Sequence, residues 1–100
     1  MSRRLIVRQE TETDVQEAAL WYEGQQTGLG LEFTAEVRTA IRNAVEWPLV
    51  HRLLRSRPPV RRVLTERFRY RVFYLVREDA VVVFAVIHAA RHDREWKRRL

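Results

Sequence analysis

No cysteine occurs among the 100 residues. That absence excludes disulfides, thiolate–metal sites and a cysteine nucleophile, and it is compatible with a reducing compartment. Glycine and proline are scarce, three of each, and nothing in the composition resembles a collagen-like or disordered segment. Long apolar runs are also missing. The longest stretch, around residues 80 to 90, is interrupted by His88 and is too short to span a membrane, so it reads as a buried strand. The opening Met1-Ser2-Arg3-Arg4 has the arginine pair of a twin-arginine signal, but only Leu5-Ile6-Val7 follow before Arg8, far short of a signal's apolar region. The expectation is a cytoplasmic protein with no membrane partner. No repeat, linker or low-complexity segment divides the chain, so a single domain over residues 1–100 is expected.

What is present supports a globular fold held by packing alone. Apolar residues make up 46% of the chain and ten residues are aromatic; a domain of this length buries roughly 65% of the surface its unfolded chain exposes. The net charge is +6, unevenly distributed. Residues 9 to 37 hold seven acids and no Lys or Arg, residues 52 to 77 hold nine arginines against Glu66 alone, and the tail from Arg91 adds four arginines and Lys97. A surface this one-sided attracts polyanions or acidic protein segments. A merely solvated basic face gives the same pattern.

Periodicity sets the expected elements. Residues 4 to 8 read as a strand, and Thr11 or Thr13 can cap the following helix, Thr13 with Gln16 at capping-box spacing. Val15, Ala18, Ala19 and Tyr22 fall on one face of a helix that runs to about Gln26, and Gly28-Leu29-Gly30 breaks it. A second helix from about Leu31 carries the stripe Phe33, Val37, Ala40, Ile41, Ala44 and Val45, ending at Trp47-Pro48. Strands are expected over Val60 to Leu64 and Phe68 to Arg77, with Phe68, Tyr70, Val72, Tyr74 and Val76 on the core face. The opposite face of that strand, Arg69, Arg71, Phe73, Leu75 and Arg77, reads as too polar at its ends to be a second buried surface. Glu78-Asp79 makes a turn, and Ala80 to Ala90 reads as a central strand covered on both sides over Val81 to Ile87. The predicted class is α+β: a helical hairpin on a small antiparallel sheet, in the order β-α-α-β-β-β, with a short basic C-terminal tail or helix.

Within this order, Trp21-Tyr22-Glu23, Gly28-Leu29-Gly30-Leu31-Glu32-Phe33, Glu36-Val37, Arg67-Phe68-Arg69-Tyr70-Arg71-Val72-Phe73-Tyr74 and Val86-Ile87-His88-Ala89-Ala90-Arg91-His92 resemble toxins of the RelE/ParE superfamily over almost the whole chain. The resemblance implies the toxin half of a type II toxin–antitoxin pair, a growth inhibitor of the plasmid-stabilisation kind, with an antitoxin segment wrapping its active surface. It also implies two different activities, since RelE-like toxins cut messenger RNA on the ribosome and ParE-like toxins inhibit DNA gyrase. A fold does not choose between them.

Under the ribonuclease reading, Arg71 matches the arginine of a family Tyr-Arg-x-x-Tyr segment, Arg91 the arginine just past the last strand, and Arg62 a basic position on the preceding strand. Metal-independent RNA cleavage needs a base, an acid and cations facing the phosphorane. Arg71, Arg91 and Arg62 are candidates for the cations, His92 or His88 for proton exchange, and Tyr70 or Trp96 for stacking a base. No cofactor or metal is expected. Each residue also has a plainer reading: Tyr70 and Tyr74 as core, His88 as a packed histidine, the arginines as surface charge. The C-terminal tyrosine of some ribonuclease members has no match, because Trp96-Lys97 stands there, and Arg69 replaces a proline common in relatives. The hairpin segments are closer to the ParE-like branch. The sequence therefore favours a gyrase-directed toxin, with Arg61, Arg62, Arg67, Arg69, Tyr70 and Trp96 as target- or nucleic-acid-binding candidates. Ribosome-dependent cleavage by Arg71, Arg91 and His92 follows, and a non-toxic basic nucleic-acid-binding module is the third reading.

Overall fold

The computed structural model describes residues 3–100. In chain order the elements are β1 (Arg4–Val7), α1 (Gln9–Gln25), α2 (Leu29–Glu46), β2 (Arg52–Ser56), β3 (Pro59–Leu64), β4 (Tyr70–Val76), β5 (Ala80–His88) and the short α3 (Arg94–Lys97). The strands form one sheet, ordered β1-β5-β4-β3-β2. The expected α+β class, hairpin of helices and basic C-terminal helix are all present. Among the described residues no helix is long and apolar enough to cross a membrane.

The sheet is mixed rather than antiparallel. β1 runs parallel to β5, with Leu5 opposite Val81 and Val7 opposite Val83. Two helices separate β1 from the remaining strands, so no tight turn dictates its direction. The sheet also has one strand more than expected. β2 is an edge strand, exposed along nearly its whole length, and its Arg-Leu-Leu-Arg-Ser run lacks the apolar alternation that marks a half-buried strand.

One face of the sheet is covered by the helices. Phe33, Val37, Ala40 and Ala44 of α2 are buried with Val72, Tyr74, Val81, Val83 and Val86, and Val15, Ala18, Ala19 and Tyr22 of α1 pack at the margin. The opposite face holds a second core, contrary to the expectation for β4: Phe73 and Leu75 are buried with Val60, Val82, Phe84, Ala85, Ile87 and Trp96. The short α3 supplies Trp96 to this face, which is how a strand with arginine at both ends buries its centre. Phe84 is an extra residue between the pairs Phe73–Ala85 and Tyr74–Val83, a bulge that lets its ring join the second core.

Local chemistry sets the helix ends, not always as expected. α1 begins at Gln9, before either threonine, with Arg8 at its N-cap and no side-chain cap. Thr11 is instead fully buried and donates its hydroxyl to the Val83 carbonyl (3.1 Å), tying the first turn of α1 to β5. Glu10 and Glu12 in that turn suit the positive end of the helix. α2 begins at Leu29, two residues earlier than expected. The Glu23 carboxylate accepts from the backbone N–H of Gly28 (3.0 Å) and Gly30 (3.1 Å), and Gly28 takes φ 91°, where glycine is at ease. At Gly30 a Cβ would lie 2.7 Å from the Ala19 carbonyl oxygen, so the hairpin closes only around a hydrogen.

β4 begins at Tyr70 rather than Phe68, because Phe68 (φ 70°) and Arg69 (φ 55°) are left-handed. Packing holds this unfavourable backbone. The Phe68 ring sits 4.7 Å from Tyr22 and 5.5 Å from Phe33. Glu36 accepts from the Arg67 N–H (2.8 Å), and Thr65 Oγ1 accepts from the Tyr70 N–H (2.9 Å).

Candidate functional site

The sheet register decides which arginines share a surface. Phe73 faces the second core; Arg62 lies opposite it on β3, and Arg52 lies opposite Arg62 on β2. Arg71, two residues before Phe73, is on the same face, its guanidinium 5.0 Å from the Phe73 ring centroid. Arg52, Arg62 and Arg71 thus form a cationic group on the sheet face away from α1 and α2. Burial, followed by the Arg52 and Arg71 charges, lowers the Arg62 pKa. Like charges directly opposite across strands are unfavourable unless an anion is supplied.

Arg71 is not free to receive one. Its Nη1 is 2.7 Å from Asp93 Oδ1, its Nη2 donates to the Arg91 carbonyl (2.9 Å), and its side chain is only 12% exposed. The hydrogen bond from Arg71 holds the Asp93 carboxyl below the usual carboxylate range. Arg91 pairs with Glu95 one helical turn on; that hydrogen bond raises the arginine pKa and lowers the glutamate's. Two of the three arginines proposed for phosphate chemistry, Arg71 and Arg91, therefore carry a carboxylate partner within the chain, and Arg62 has none among the described residues.

The histidines are held through backbone contacts. His92 Nδ1 accepts from the Arg94 N–H (3.1 Å) ahead of α3, and His88 Nδ1 accepts from the Ala90 N–H (3.0 Å). His88 also meets Tyr70 edge to face at 5.2 Å. Tyr70 belongs to the aromatic cluster of Tyr22, Phe33 and Phe68, and burial, then its neighbour Tyr22, pushes its pKa up to about 12.

Trp96 departs from the base-stacking role expected for it. It is 2% exposed, stacked on Phe73 at 5.3 Å with the planes 22° apart, while the Lys97 ammonium lies 5.6 Å from the ring centroid. It is a core residue because the second sheet face has no long helix to cover it. Arg61 points the other way from Arg62 and holds the loop before β2, donating to the carbonyls of Leu49 (3.2 Å) and His51 (2.8 Å). Arg67 pairs with Glu32 at 3.0 Å and lies over the Phe68 ring at 4.8 Å. Arg69 is exposed and has no acid partner among the described residues.

A cleft of about 360 Å³ lies between α1 and the C-terminal segment, where it brings Tyr70, His88 and Arg91 together with Asp14, Glu17 and Arg98. Its floor is a two-pronged ion pair. Arg99 meets both Asp14 oxygens at 2.7 and 2.8 Å, Asp14 accepts the Val86 N–H (2.9 Å), and Arg99 donates to the Phe84 carbonyl (3.2 Å). These side chains satisfy β5 where β1 has ended. The acids Asp14, Glu17 and Glu95 offset the cleft's cations, which disfavours a phosphate there. Sequence reasoning singled out none of Asp14, Arg52, Asp93, Glu95 or Arg99; Asp14, Asp93 and Arg99 have partners distant in sequence, whereas the Arg91–Glu95 pair at i, i+4 is a local signal that could have been found. Among the described residues no group of His, Asp and Glu is placed to hold a metal ion.

A family model described as the ParE toxin of type II toxin–antitoxin system, parDE, matches residues 5–93. No curated protein matches the chain.

Proposed function

The chain belongs to the ParE toxin family, and we propose that it arrests growth by binding DNA gyrase in the cytoplasm, without cutting RNA, until its antitoxin covers it. Family membership makes it the toxin of a type II toxin–antitoxin system and gives it a cognate antitoxin as partner. One observation carries the choice of target: Arg71 and Arg91, two of the three arginines with ribonuclease matches, are paired with Asp93 and Glu95. A phosphorane needs cations aimed at it before it forms. Here two of the three candidate cations already pair with carboxylates, while Arg62 and Arg69 remain for contact with a target.

The test is to induce the chain without its antitoxin and follow plasmid supercoiling, DNA breakage and messenger integrity as growth slows. The expected order is altered supercoiling or DNA breaks first, with messenger RNA intact. Messenger cleavage within the first minutes would overturn the gyrase reading, and harmless expression would favour a plain nucleic-acid-binding module.

A further inference from the structure

The end of the sheet at β2 has an unusual surface. From Trp47 to Thr65 the chain carries five arginines and no acid. Within its first seven residues four large apolar side chains face solvent: Trp47 and Leu49 at 59% exposure, Val50 at 75% and Leu53 at 45%. Exposed apolar residues scattered singly need no explanation, whereas a group of them marks an interaction site.

The loop that carries them is fixed rather than loose. Tyr74 donates its hydroxyl to the Pro48 carbonyl (2.7 Å), Arg61 donates to the Leu49 and His51 carbonyls, and the Trp47 N–H closes α2 on the Asn43 carbonyl (2.9 Å). Three elements thus hold the backbone while its apolar side chains project outward, a preorganised surface that loses little entropy on binding. Beside it runs β2, the last strand of the sheet, with no neighbour on its outer side among the described residues. Arg52 and Arg55 lie on that strand without an acid partner among the described residues.

We infer that this end of the sheet is a docking surface for the cognate antitoxin, whose acidic amphipathic segment wraps the β2 edge, meeting Trp47, Leu49, Val50 and Leu53 and reaching Arg52 and Arg55, which lie on the sheet face opposite Leu53. The inference rests on the toxin–antitoxin part of the proposed function and not on gyrase as target. Charge complementarity selects an acidic partner, and the exposed Trp, Leu and Val select protein over duplex DNA, which offers phosphates but little apolar surface. Tryptophan is among the residues most enriched at interface hot spots, and Trp47 stands exposed here.

The test uses the chain co-expressed with its cognate antitoxin and the affinity of the purified pair. The Trp47→Ala, Val50→Asp double variant is expected to weaken binding by about 30-fold or more, the fold-change that corresponds to about 2 kcal/mol at a hot spot. Arg52→Glu is expected to slow association and flatten its salt dependence. Leu20→Asp on α1, an equally exposed apolar position, is expected to bind like the parent. Circular dichroism checks the fold of each variant, and Trp47→Ala alone replaces the double variant should that one unfold. Unchanged antitoxin affinity in the folded Trp47 variants would overturn the inference. So would a loss confined to binding of phosphatidylglycerol vesicles or of a short DNA duplex. Should the parent chain prove harmless while its Trp47 variant still releases the antitoxin, the surface stands and the growth-arrest reading falls.

Discussion

Arg71 on β4 and Asp93 at the head of α3 meet at 2.7 Å across 22 residues of sequence, and the same guanidinium reaches the Arg91 carbonyl. This contact fastens the C-terminal segment to the second sheet face and places Trp96 over Phe73. Arg71 thus has a structural use that needs no substrate.

The first prediction follows from that contact. Asp93→Ala strands a largely buried cation and should destabilise the protein by about 1–3 kcal/mol, the usual cost of removing one partner of a buried charged hydrogen bond. For a domain of this size each kcal/mol lowers Tm by about 4–8 °C, measurable by thermal unfolding. The Arg71→Ala, Arg91→Ala double variant, tested at a temperature where it stays folded, should keep its toxicity. Loss of toxicity in a folded double variant would sink the assignment of these arginines to structure.

Trp96 gives a second prediction. Trp96→Ala opens a large cavity beneath the open sheet face and should cost about 3–5 kcal/mol, a large share of the 5–15 kcal/mol typical of a domain. Trp96→Phe should cost much less, since a ring still stacks on Phe73. Urea unfolding of the two variants tests the difference. An Ala variant as stable as the parent would mean that Trp96 is not core.

The helix hairpin gives a third, with opposite signs at two glycines. Gly24→Ala in α1 meets nothing within 4 Å and should stabilise by about 0.5–1 kcal/mol through helix propensity. Gly30→Ala gains the same propensity but drives a methyl to 2.7 Å from the Ala19 carbonyl. The strain of such overpacking is about 1–3 kcal/mol, so the net effect should be destabilising. Paired melting curves decide it.

Alkaline pH gives the fourth. Burial pushes Tyr74, and burial with neighbouring Tyr22 pushes Tyr70, up to about 12 from an unfolded value of about 10. A group with a raised folded pKa adds stability that is complete below the unfolded pKa and lost as pH rises through the folded one. Stability should therefore hold up to about pH 10 and fall between about pH 10 and 12. Absorbance at 295 nm should show two tyrosines ionising late, together with loss of the circular dichroism signal. Ionisation of both near pH 10 in a folded protein would contradict the buried environment.

Much of the fold is legible in the residues. The α2 stripe from Phe33 to Val45, the break at Gly28 and the two-sided burial of β5 follow from periodicity, because a helix or strand writes its own repeat into the sequence that covers it. The ordered segments from Trp21 to His92 were enough for the family. β2 was not legible: an exposed edge strand has no core to impose alternation. The second core was hidden for a related reason, since Arg71 and Arg77 disguise Phe73 and Leu75 until α3 folds over them.

The candidate site divides in the same way. Composition determined a basic half, and the family resemblance, not composition, marked the residues with ribonuclease matches. Whether those residues are free was decided only in three dimensions. Asp14 and Arg99 stand 85 positions apart, and Arg71 finds Asp93 only after β4 and β5 have paired. A residue's charge is written in the chain, but the counter-charge beside it is often set by packing, as Asp93 is for Arg71 and Asp14 for Arg99.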